Sequence, residues 1–288
     1  MRCLMTLQRK ACAKVNWTLD ILGKREDGYH LMDMVMQSLS LYDDMRFTRR
    51  EDGVITLKIV GSSLPADDSN LVLRAARALQ SHFECPYGAD IVMEKHIPMG
   101  AGLGGGSADA ACTLHALCDL WELHLSLEEK CRIGLTLGAD VPYCLHGVPA
   151  RVTGIGEGVQ PIHALRSYPM VLLQPCDALS TKEAFRHFDE TEGILHPDND
   201  AACRALAEGS SALLAAACKN VMQHASELLR PEMAHAIRAL HESGAFLAQM
   251  TGSGSVVYGV YETQEEAKAA HQALSSRFSP CILCHTLL

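Results

Sequence analysis

The chain has 288 residues, of which 48% are hydrophobic and 20% are charged, a composition that is typical of folded globular proteins and excludes a largely disordered chain. Its formal net charge of -9 repels polyanions, so we expect no nucleic-acid partner. No stretch is apolar for long enough to form a membrane span or a signal peptide, so we expect a cytoplasmic protein without a membrane partner, whose 12 cysteines stay mostly reduced.

The first half of the chain alternates β-type runs with turns and contains two helical segments. Apolar and β-branched residues predict strands, with one turn at Asp27 and Gly28, over residues 13–22, 32–41, 54–60 and 89–97. Apolar residues recur at helical spacing, which predicts helices over residues 70–83 and 108–120. We therefore expect a β-rich N-terminal layer with helices packed on it.

From about residue 161 strands and helices interleave. Strands are predicted over residues 170–174, 246–250 and 256–261, and at the C-terminus. Helices are predicted from Pro231 onward and over residues 264–278. This order is typical of a split β-α-β layer with extra helices. We expect an α+β fold of two domains, residues 1–160 and 161–288, with the catalytic cleft between them.

The last strand contains Cys281, Cys284 and His285, which form a C-x-x-C-H string. This string is typical of a c-type haem attachment site, but haem attachment requires export. A structural zinc site there would lack a second close pair of ligands. The apolar neighbours favour an ordinary C-terminal strand.

Residues 98–109, PMGAGLGGGSAD, place five glycines between a predicted strand and a predicted helix. Glycine tolerates positive φ and lets phosphate oxygens approach backbone N–H groups, and the helix that follows presents the positive end of its dipole. Ser107 stands where it can cap this helix or contact a phosphate or a metal ion. The pattern predicts a phosphate-binding loop.

Other phosphate-binding motifs fit this loop less well. Gly100, Gly102 and Gly105 match the dinucleotide pattern G-x-G-x-x-G, but no strand ending in an acidic residue follows the helix. No Gly-Lys-Ser/Thr closes the run, as a P-loop requires, and the protein-kinase motifs H-R-D and D-F-G are absent from the sequence. A turn without a ligand would not need five glycines, since each loses backbone entropy on folding.

The run PMGAGLGGGSADAA resembles the second signature of the GHMP kinases, the superfamily of galactokinase, homoserine kinase, mevalonate kinase and phosphomevalonate kinase. Residues 14–43, KVNWTLDILGKREDGYHLMDMVMQSLSLYD, are similar to the N-terminal signature of one branch, the 4-diphosphocytidyl-2-C-methyl-D-erythritol kinases of the non-mevalonate isoprenoid pathway. The similarity continues through NLVLRAARAL, GADVPYCLHG, GIGE and MTGSGS, and so covers nearly the whole chain. It implies a two-domain GHMP kinase fold with a β-rich N-terminal domain that carries the glycine-loop helix and a ferredoxin-like C-terminal domain.

The resemblance also implies the chemistry, which is ATP-dependent phosphorylation of the 2-hydroxyl of 4-diphosphocytidyl-2-C-methyl-D-erythritol, with Mg²⁺ as a second cofactor. It implies that Asp140 is the general base and that Lys14 stands beside it. Lys14 and Asn16 are two residues apart on a predicted strand and therefore share one face.

The remaining implied site residues divide between ATP and the small-molecule acceptor. Those implied for ATP are Asn70, Lys95, Pro98, Met99, Gly100, Ala101, Gly102, Leu103, Gly104, Gly105, Gly106, Ser107 and Ala108. Those implied for the acceptor are Asn16, Tyr29, His30, Thr181 and Phe185, with Tyr29 stacking on the cytosine ring and His30 hydrogen-bonding it. The third signature, residues 250–255, is expected to support the phosphate loop.

Two other functions stay open at this point. The chain can be another GHMP kinase that acts on homoserine or a mevalonate derivative, or a nucleotide- or sugar-sensing member without catalysis. The segment at residues 27–30 argues against the first, and Lys14 with Asp140 argues against the second. The family's Asn-Asp-Leu-Glu stretch appears here as residues 220–223, NVMQ, without either acid, so no role is carried over to it.

Overall fold

The computed structural model of the chain describes residues 5–288, so the first four residues of the expected N-terminal domain lie outside the described part. Its strands are β1 (Thr6–Lys24), β2 (His30–Arg50), β3 (Ile55–Val60), β4 (Gly88–Glu94), β5 (Ala150–Gly154), β6 (Gly158–Pro161), β7 (Pro169–Leu173), β8 (Leu247–Met250), β9 (Val257–Val260) and β10 (Cys281–His285). Its helices are α1 (Leu71–His82), α2 (Gly105–Leu120), α3 (Leu127–Leu137), α4 (Val141–His146), α5 (Thr181–Asp189), α6 (Asn199–Glu208), α7 (Ser211–Ala217), α8 (Gln223–Leu229), α9 (Glu232–Glu242) and α10 (Gln264–Leu274).

The chain groups into two compact units, each made of several segments. Unit 1 comprises the N-terminal residues up to Ala13, Leu41–Ile97 and Gly104–Gly147. Unit 2 comprises Lys14–Ser40, Pro98–Leu103 and Val148–Leu288. The long strands β1 and β2 therefore contribute residues to both units.

Unit 1 combines strands with the helices α1 to α4. Strand β4 pairs in parallel with β3 and antiparallel with the second part of β2. Helix α1 begins at Asn70, whose Oδ1 accepts a hydrogen bond from the N–H of Val72 at 3.0 Å. Helix α2 is buried along most of its length because eleven of its 16 residues lie in the interior. These elements share one apolar core that includes Phe47, Ile91 and Leu117.

Unit 2 contains a four-stranded antiparallel sheet with the order β10-β7-β9-β8. With α10 between β9 and β10, this order is that of a ferredoxin-like split β-α-β layer, as the sequence predicts. The first part of β2 pairs with β5, and β5 pairs with β6. The C-x-x-C-H string lies in β10, where Cys284 is buried and burial raises its pKa to about 12. The prediction of an ordinary strand is confirmed.

Most predicted elements are confirmed within a few residues, and the differences have physical causes. Strand β2 continues to Arg50 because Met45 and Phe47 point into the core of unit 1 while Arg46, between them, faces outward. Helix α2 begins at Gly105 rather than at Ala108, since packing overrides the low helix propensity of glycine. Strands β5 and β6 carry polar residues and glycines, and the sequence pattern does not reveal them.

Candidate functional site

The glycine loop leads directly into α2. Gly100, Gly102 and Gly104 have φ angles of +59°, +74° and +67°, in the left-handed region that side chains with a Cβ rarely adopt. Gly104 is the N-cap of α2 and offers no capping side chain. The first N–H groups of this helix therefore need an external acceptor, and the positive end of the helix dipole lies at the same point. This arrangement binds an anion such as a phosphate group.

Ser107 does not cap α2, because the helix already begins at Gly105. Its hydroxyl instead faces the turn that precedes α4, since a Cβ on Gly138 would lie 3.7 Å from Ser107 Oγ. The same turn carries Asp140. Within unit 1, the start of α2 and the turn that carries Asp140 are therefore neighbours.

Asp140 is half-buried and occupies the N-cap position of α4, but its side chain makes no capping hydrogen bond. A carboxylate in this position ordinarily caps the helix that follows it. Pro142 in the first turn of α4 limits the backbone there. The structure thus fixes the position of the Asp140 carboxylate at the start of α4, although this carboxylate does not cap the helix.

The first part of the loop, residues 98–103, packs on residues 250–256 within unit 2. The N–H of Val256 donates to the carbonyl of Ala101 at 3.2 Å. A Cβ on Gly102 would overlap the carbonyl oxygen of Thr251, and a Cβ on Gly252 would lie 2.9 Å from the carbonyl oxygen of Gly102. Two backbone segments meet here with no space for side chains. The expectation that the third signature supports the loop is confirmed.

Lys14 and Asn16 lie side by side on β1, both buried in unit 2. Lys14 Nζ donates to Asn16 Oδ1 at 2.7 Å. The same oxygen accepts the N–H of Gly252 at 3.1 Å, and the N–H of Lys14 donates to the carbonyl of Leu103 at 2.9 Å. The cation and amide predicted from the sequence are therefore tied to the glycine loop and to the third signature.

Asn70 and Lys95, both implied for ATP, already have partners within unit 1. Besides capping α1, the Asn70 side chain donates to the carbonyl of Pro65 at 2.9 Å. Lys95 Nζ forms ion pairs with Asp43 and, at 3.0 Å, with Asp109, and all three side chains are at most 5% exposed. A Cβ on Gly105 would lie 3.0 Å from Lys95 Nζ. The cluster of Lys95, Asp43 and Asp109 therefore lies directly against the first turn of α2.

The electrostatics of this buried cluster are dominated by Asp109. Burial raises the pKa of Asp109 to about 7 against the attraction of the Lys95 ammonium, and the charge of Asp43 acts in the same direction as burial. Asp109 Oδ1 is buried without a hydrogen-bond partner. Because the Lys95 ammonium is shared between two buried carboxylates, it does not fully offset the burial of Asp109, and the protonated form of Asp109 is favoured.

His30 and Phe185, both implied for the acceptor, are in contact within unit 2. Their rings stack at a centroid distance of 4.5 Å and an angle of 18°. His30 Nε2 lies 2.7 Å from Asp189 Oδ1, and Lys24 Nζ donates to Asp189 Oδ2 at 2.6 Å. Burial acts to raise the pKa of Asp189, but the hydrogen bonds from Lys24 and His30 outweigh it, so this pKa lies below its ordinary value.

Two further residues implied for the acceptor, Tyr29 and Thr181, also lie in unit 2, as Asn16 does. Tyr29 precedes His30 and is 60% exposed. Thr181, the first residue of α5, places its Oγ1 3.0 Å from the hydroxyl of Ser253 in the third signature. Sequence reasoning missed Asp189, although its spacing of four residues from Phe185 predicts that both lie on one face of α5.

The described residues contain no cluster of three or more His, Cys, Asp or Glu side chains that could hold a metal ion. Over the same part of the chain, no helix has the length and apolar character that spanning a bilayer requires. Oxygen donors at the start of α2 and on the turn next to it include the Ser107 hydroxyl and the Asp140 carboxylate. Such a set suits a Mg²⁺ ion that takes its remaining ligands from phosphates and water.

Comparison with protein families gives two matches. The model described as GHMP kinases N terminal domain matches residues 70–148, and the model described as GHMP kinases C terminal matches residues 184–280. The first covers the glycine loop and Asp140, and the second covers β8, β9 and α10 of the C-terminal layer.

Similar curated proteins extend over nearly the whole chain. A protein of Clostridium tetani named 4-diphosphocytidyl-2-C-methyl-D-erythritol kinase is 35% identical over 278 residues, which are 96% of this chain and 99% of that protein. A protein of the same name from Alkaliphilus metalliredigens is 36% identical over 269 residues, 93% of this chain and 92% of that protein.

Solved structures of kinases superpose on the chain over nearly its whole length. A crystal structure of a 4-(cytidine 5'-diphospho)-2C-methyl-D-erythritol kinase superposes with a TM-score of 0.83 at 31% identity, covering 97% of this chain and 99% of that one. A homoserine kinase from Cytophaga hutchinsonii superposes with a TM-score of 0.76 at 17% identity, covering 98% of this chain and 95% of that one, and so shares the fold. The expected two-domain GHMP kinase fold is confirmed. The chain belongs to the GHMP kinases and, within them, to the family of the 4-diphosphocytidyl-2-C-methyl-D-erythritol kinases.

Proposed function

We propose that the chain transfers the γ-phosphoryl group of ATP to the 2-hydroxyl of 4-diphosphocytidyl-2-C-methyl-D-erythritol. The observation that carries the proposal is the start of α2, where the left-handed Gly104 leaves the N–H groups of the first turn without a capping side chain. Such a helix start binds phosphate groups. The relatives that bear the name of this kinase match nearly the full chain at 35% and 36% identity, and they support the choice of acceptor.

In the proposed reaction the acceptor hydroxyl oxygen forms a bond to the γ-phosphorus while the bond from that phosphorus to the β,γ-bridging oxygen breaks, which releases ADP. The hydroxyl proton passes to the carboxylate of Asp140, which acts as general base. The place of Asp140 on the turn next to Ser107 and the start of α2 supports the role. The buried ammonium of Lys14 offsets negative charge on the transferring phosphoryl group.

ATP binds, in this proposal, through the glycine loop at residues 98–108. Backbone N–H groups at the start of α2 hold the phosphates, and Asn70 and Lys95 lie near the adenosine part of the nucleotide. Mg²⁺ would be held by the phosphates with help from Ser107 or Asp140, and when bound it neutralises phosphate charge. The donor types of Ser107 and Asp140 support this ion, since hydroxyl and carboxylate oxygens are ligands that Mg²⁺ accepts.

The cytidine part of the acceptor binds, in this proposal, at Tyr29, His30 and Phe185, with Asn16 and Thr181 as further contacts. Aromatic faces bind a nucleobase by stacking, and an imidazole hydrogen-bonds a base edge. The exposed ring of Tyr29 and the contact between His30 and Phe185 support this assignment.

A thermal-shift panel tests the proposed ligands independently of turnover. Ligands that bind the folded state raise the midpoint of unfolding by mass action. We expect ATP with Mg²⁺, CDP and the full acceptor to raise the midpoint, and homoserine and mevalonate to leave it unchanged. A shift with homoserine or mevalonate and none with cytidine nucleotides would redirect the assignment to another GHMP substrate.

A further inference from the structure

The stretch at residues 220–223 lies against β1 in unit 2. The N–H of Leu19 donates to the carbonyl of Lys219 at 3.0 Å, and the N–H of Val221 donates to the carbonyl of Leu19 at 3.0 Å. These bonds form an isolated parallel bridge between Leu19 and Asn220. Asn220 is thereby carried to the interior, where it is 7% exposed.

The Asn220 side chain binds the backbone of the third signature. Its Nδ2 donates to the carbonyl of Met250 at 3.0 Å and to the carbonyl of Gly252 at 2.8 Å. Its Oδ1 accepts the N–H of Met222 at 3.0 Å. Both amide protons are thus used on one short segment, where an aspartate would have no proton to donate.

A second amide completes the attachment. Gln223 Oε1 accepts the N–H of Met250 at 3.0 Å, so the N–H and the carbonyl of Met250 are both bound by side chains from this stretch. Buried hydrogen bonds of this kind rigidify the groups they join, because breaking one leaves a polar group unsatisfied.

The segment that Asn220 and Gln223 bind, residues 250–252, also contacts Asn16, which in turn bonds Lys14. The N–H of Gly252 donates to Asn16 Oδ1 at 3.1 Å, and that oxygen also accepts Lys14 Nζ at 2.7 Å. Thr251 Oγ1 accepts the N–H of Asn16 at 3.1 Å. The chain of contacts runs from Asn220 through the backbone of Gly252 and the amide of Asn16 to the ammonium of Lys14.

We propose that Asn220 is a positioning residue for phosphoryl transfer, which fixes the Lys14 ammonium through the backbone of Gly252 and the side chain of Asn16. The inference rests on the proposed function, in which Lys14 acts on the transferring phosphoryl group. The Asn220 side chain bonds the backbone of Met250, Gly252 and Met222, so it acts through these groups. Its loss changes the geometry of the reacting groups and lowers turnover.

The test compares Asn220→Ala with the matched variant Asn199→Ala. Asn199 is also 7% exposed and also donates to a backbone carbonyl, that of Asp33 at 3.2 Å. Both variants lower the unfolding midpoint, because each leaves buried carbonyls without a donor. We expect only Asn220→Ala to lower kcat, by roughly 10- to 100-fold, since a small misplacement of catalytic groups has an effect of this size.

A double-mutant cycle then asks whether the effect passes through Lys14. In a Lys14→Ala background we expect Asn220→Ala to change kcat by less than about twofold, the limit expected when no coupled partner is left. If Asn220→Ala does not fold, Asn220→Ser supplies a smaller loss, because its hydroxyl keeps one donor. For this variant we expect an intermediate fall in kcat.

The possible failures are distinguishable. If Lys14→Ala retains normal kcat, the role of Lys14 in the proposed function is wrong, and the positioning role is wrong with it. If Lys14→Ala loses turnover while Asn220→Ala behaves as Asn199→Ala does, the positioning role alone is overturned. A loss from Asn220→Ala that is equally large in both backgrounds also overturns it, because the effect then does not pass through Lys14.

Discussion

Asp140, the proposed general base, can be replaced without removing a helix cap. It stands at the N-cap of α4 without capping it, so replacing it by asparagine removes the base without removing a helix cap. We predict that Asp140→Asn lowers kcat by roughly 10² or more while the Kd of ATP stays nearly unchanged, because general-base loss acts on the chemical step. The measurement is steady-state turnover together with nucleotide titration.

A matched control for this variant is Asp119→Asn, which removes a charge from an exposed ion pair with Arg9. Exposed pairs of this kind contribute little to stability, so we expect normal turnover. Near-normal turnover in Asp140→Asn itself would show that another group accepts the proton.

His30 tests the acceptor site at the same scale. We predict that His30→Ala raises the KM of the acceptor roughly tenfold, the effect of one lost hydrogen bond, while the KM of ATP stays constant. Kinetics with each substrate varied in turn measure the two constants. His271→Ala, which removes an imidazole bonded to the carbonyl of Cys281, is the control and leaves both constants unchanged. Equal rises in both KM values after His30→Ala would contradict an acceptor-specific role.

Competition by nucleotides examines the same pocket without a mutation. CMP and CDP should compete with the acceptor, because stacking and base-edge contacts do not need the reacting end. UMP should compete less well, since uracil has a carbonyl where cytosine has an amino group, which leaves polar groups of the pocket unpaired. Equal inhibition by UMP and CMP would show that the base edge is not read.

Which site residues sequence reasoning can find depends on the distance between partners in the chain. The glycine loop was predictable because its residues are contiguous and include Gly100, Gly102 and Gly104, whose φ angles are positive. The cluster of Lys95, Asp43 and Asp109 was not, because Asp43 comes 52 residues before Lys95 and each member alone resembles a surface charge. The role of Asn220 was hidden for the same reason.

At the scale of elements, the turn from the glycine loop into α2 carries the most specific prediction. Gly104 has a φ of +67°, where a β-branched residue is strained by about 1–3 kcal/mol. We predict that Gly104→Val weakens ATP binding by roughly tenfold or more, because the side chain also obstructs the approach of phosphate oxygens. Isothermal titration of the nucleotide measures this effect.

Gly193 supplies the control for backbone strain. Its φ is +70° and a Cβ there would meet nothing within 4 Å, so Gly193→Val carries similar strain without a place in the loop. We expect it to bind ATP normally. Unchanged ATP affinity in folded Gly104→Val would show that the phosphates bind elsewhere.

Helix α2 also makes stability depend on pH. The pKa of Asp109 is raised to about 7 by burial, so the folded state holds a proton there more tightly than the unfolded state, whose carboxyl has a pKa of about 3.9. The stabilisation is present below about pH 4 and is lost as pH rises through about 7. We predict that the free energy of unfolding falls across this range relative to Asp109→Asn.

Urea unfolding of both proteins at several pH values between 4 and 8 measures the difference, and subtraction removes the contribution of groups that the two proteins share. A difference between them that is independent of pH would contradict the raised pKa. Asp67→Asn, at an exposed turn, is the comparison for a carboxyl group without burial.

The sequence predicts an element well where one face of the helix or strand is apolar. It predicts an element poorly where the packing of distant residues determines whether the element forms. Helices α1 and α10 carry side-chain caps at Asn70 and Thr263, and their apolar spacing was visible. Strand β2 was predicted too short because several charged residues follow Leu41. Buried and exposed residues alternate there, but this alternation becomes visible only when Met45 and Phe47 are seen in the core of unit 1. The short strand β6 depends on its pairing with β5 and has no signal of its own.

At the scale of the whole molecule, each of the two compact units is made of several segments of the chain. Strands β1 and β2 supply residues to both compact units, and the glycine loop passes from unit 2 to unit 1 between Leu103 and Gly104. The predicted division into residues 1–160 and 161–288 stays a prediction about domains, which limited proteolysis near residue 160 can test. Cleavage confined to that region would support it, and first cleavage elsewhere would contradict it.

The most direct test of the proposed function is turnover of the purified chain with ATP, Mg²⁺ and one acceptor at a time. We predict that 4-diphosphocytidyl-2-C-methyl-D-erythritol supports ADP release and gains one phosphate at its 2-hydroxyl, with a kcat/KM at least roughly 10³-fold above that for homoserine or mevalonate, since a polar pocket built for one acceptor rejects others strongly. Phosphorylation of homoserine or mevalonate with no product from the cytidine-linked acceptor would contradict the account.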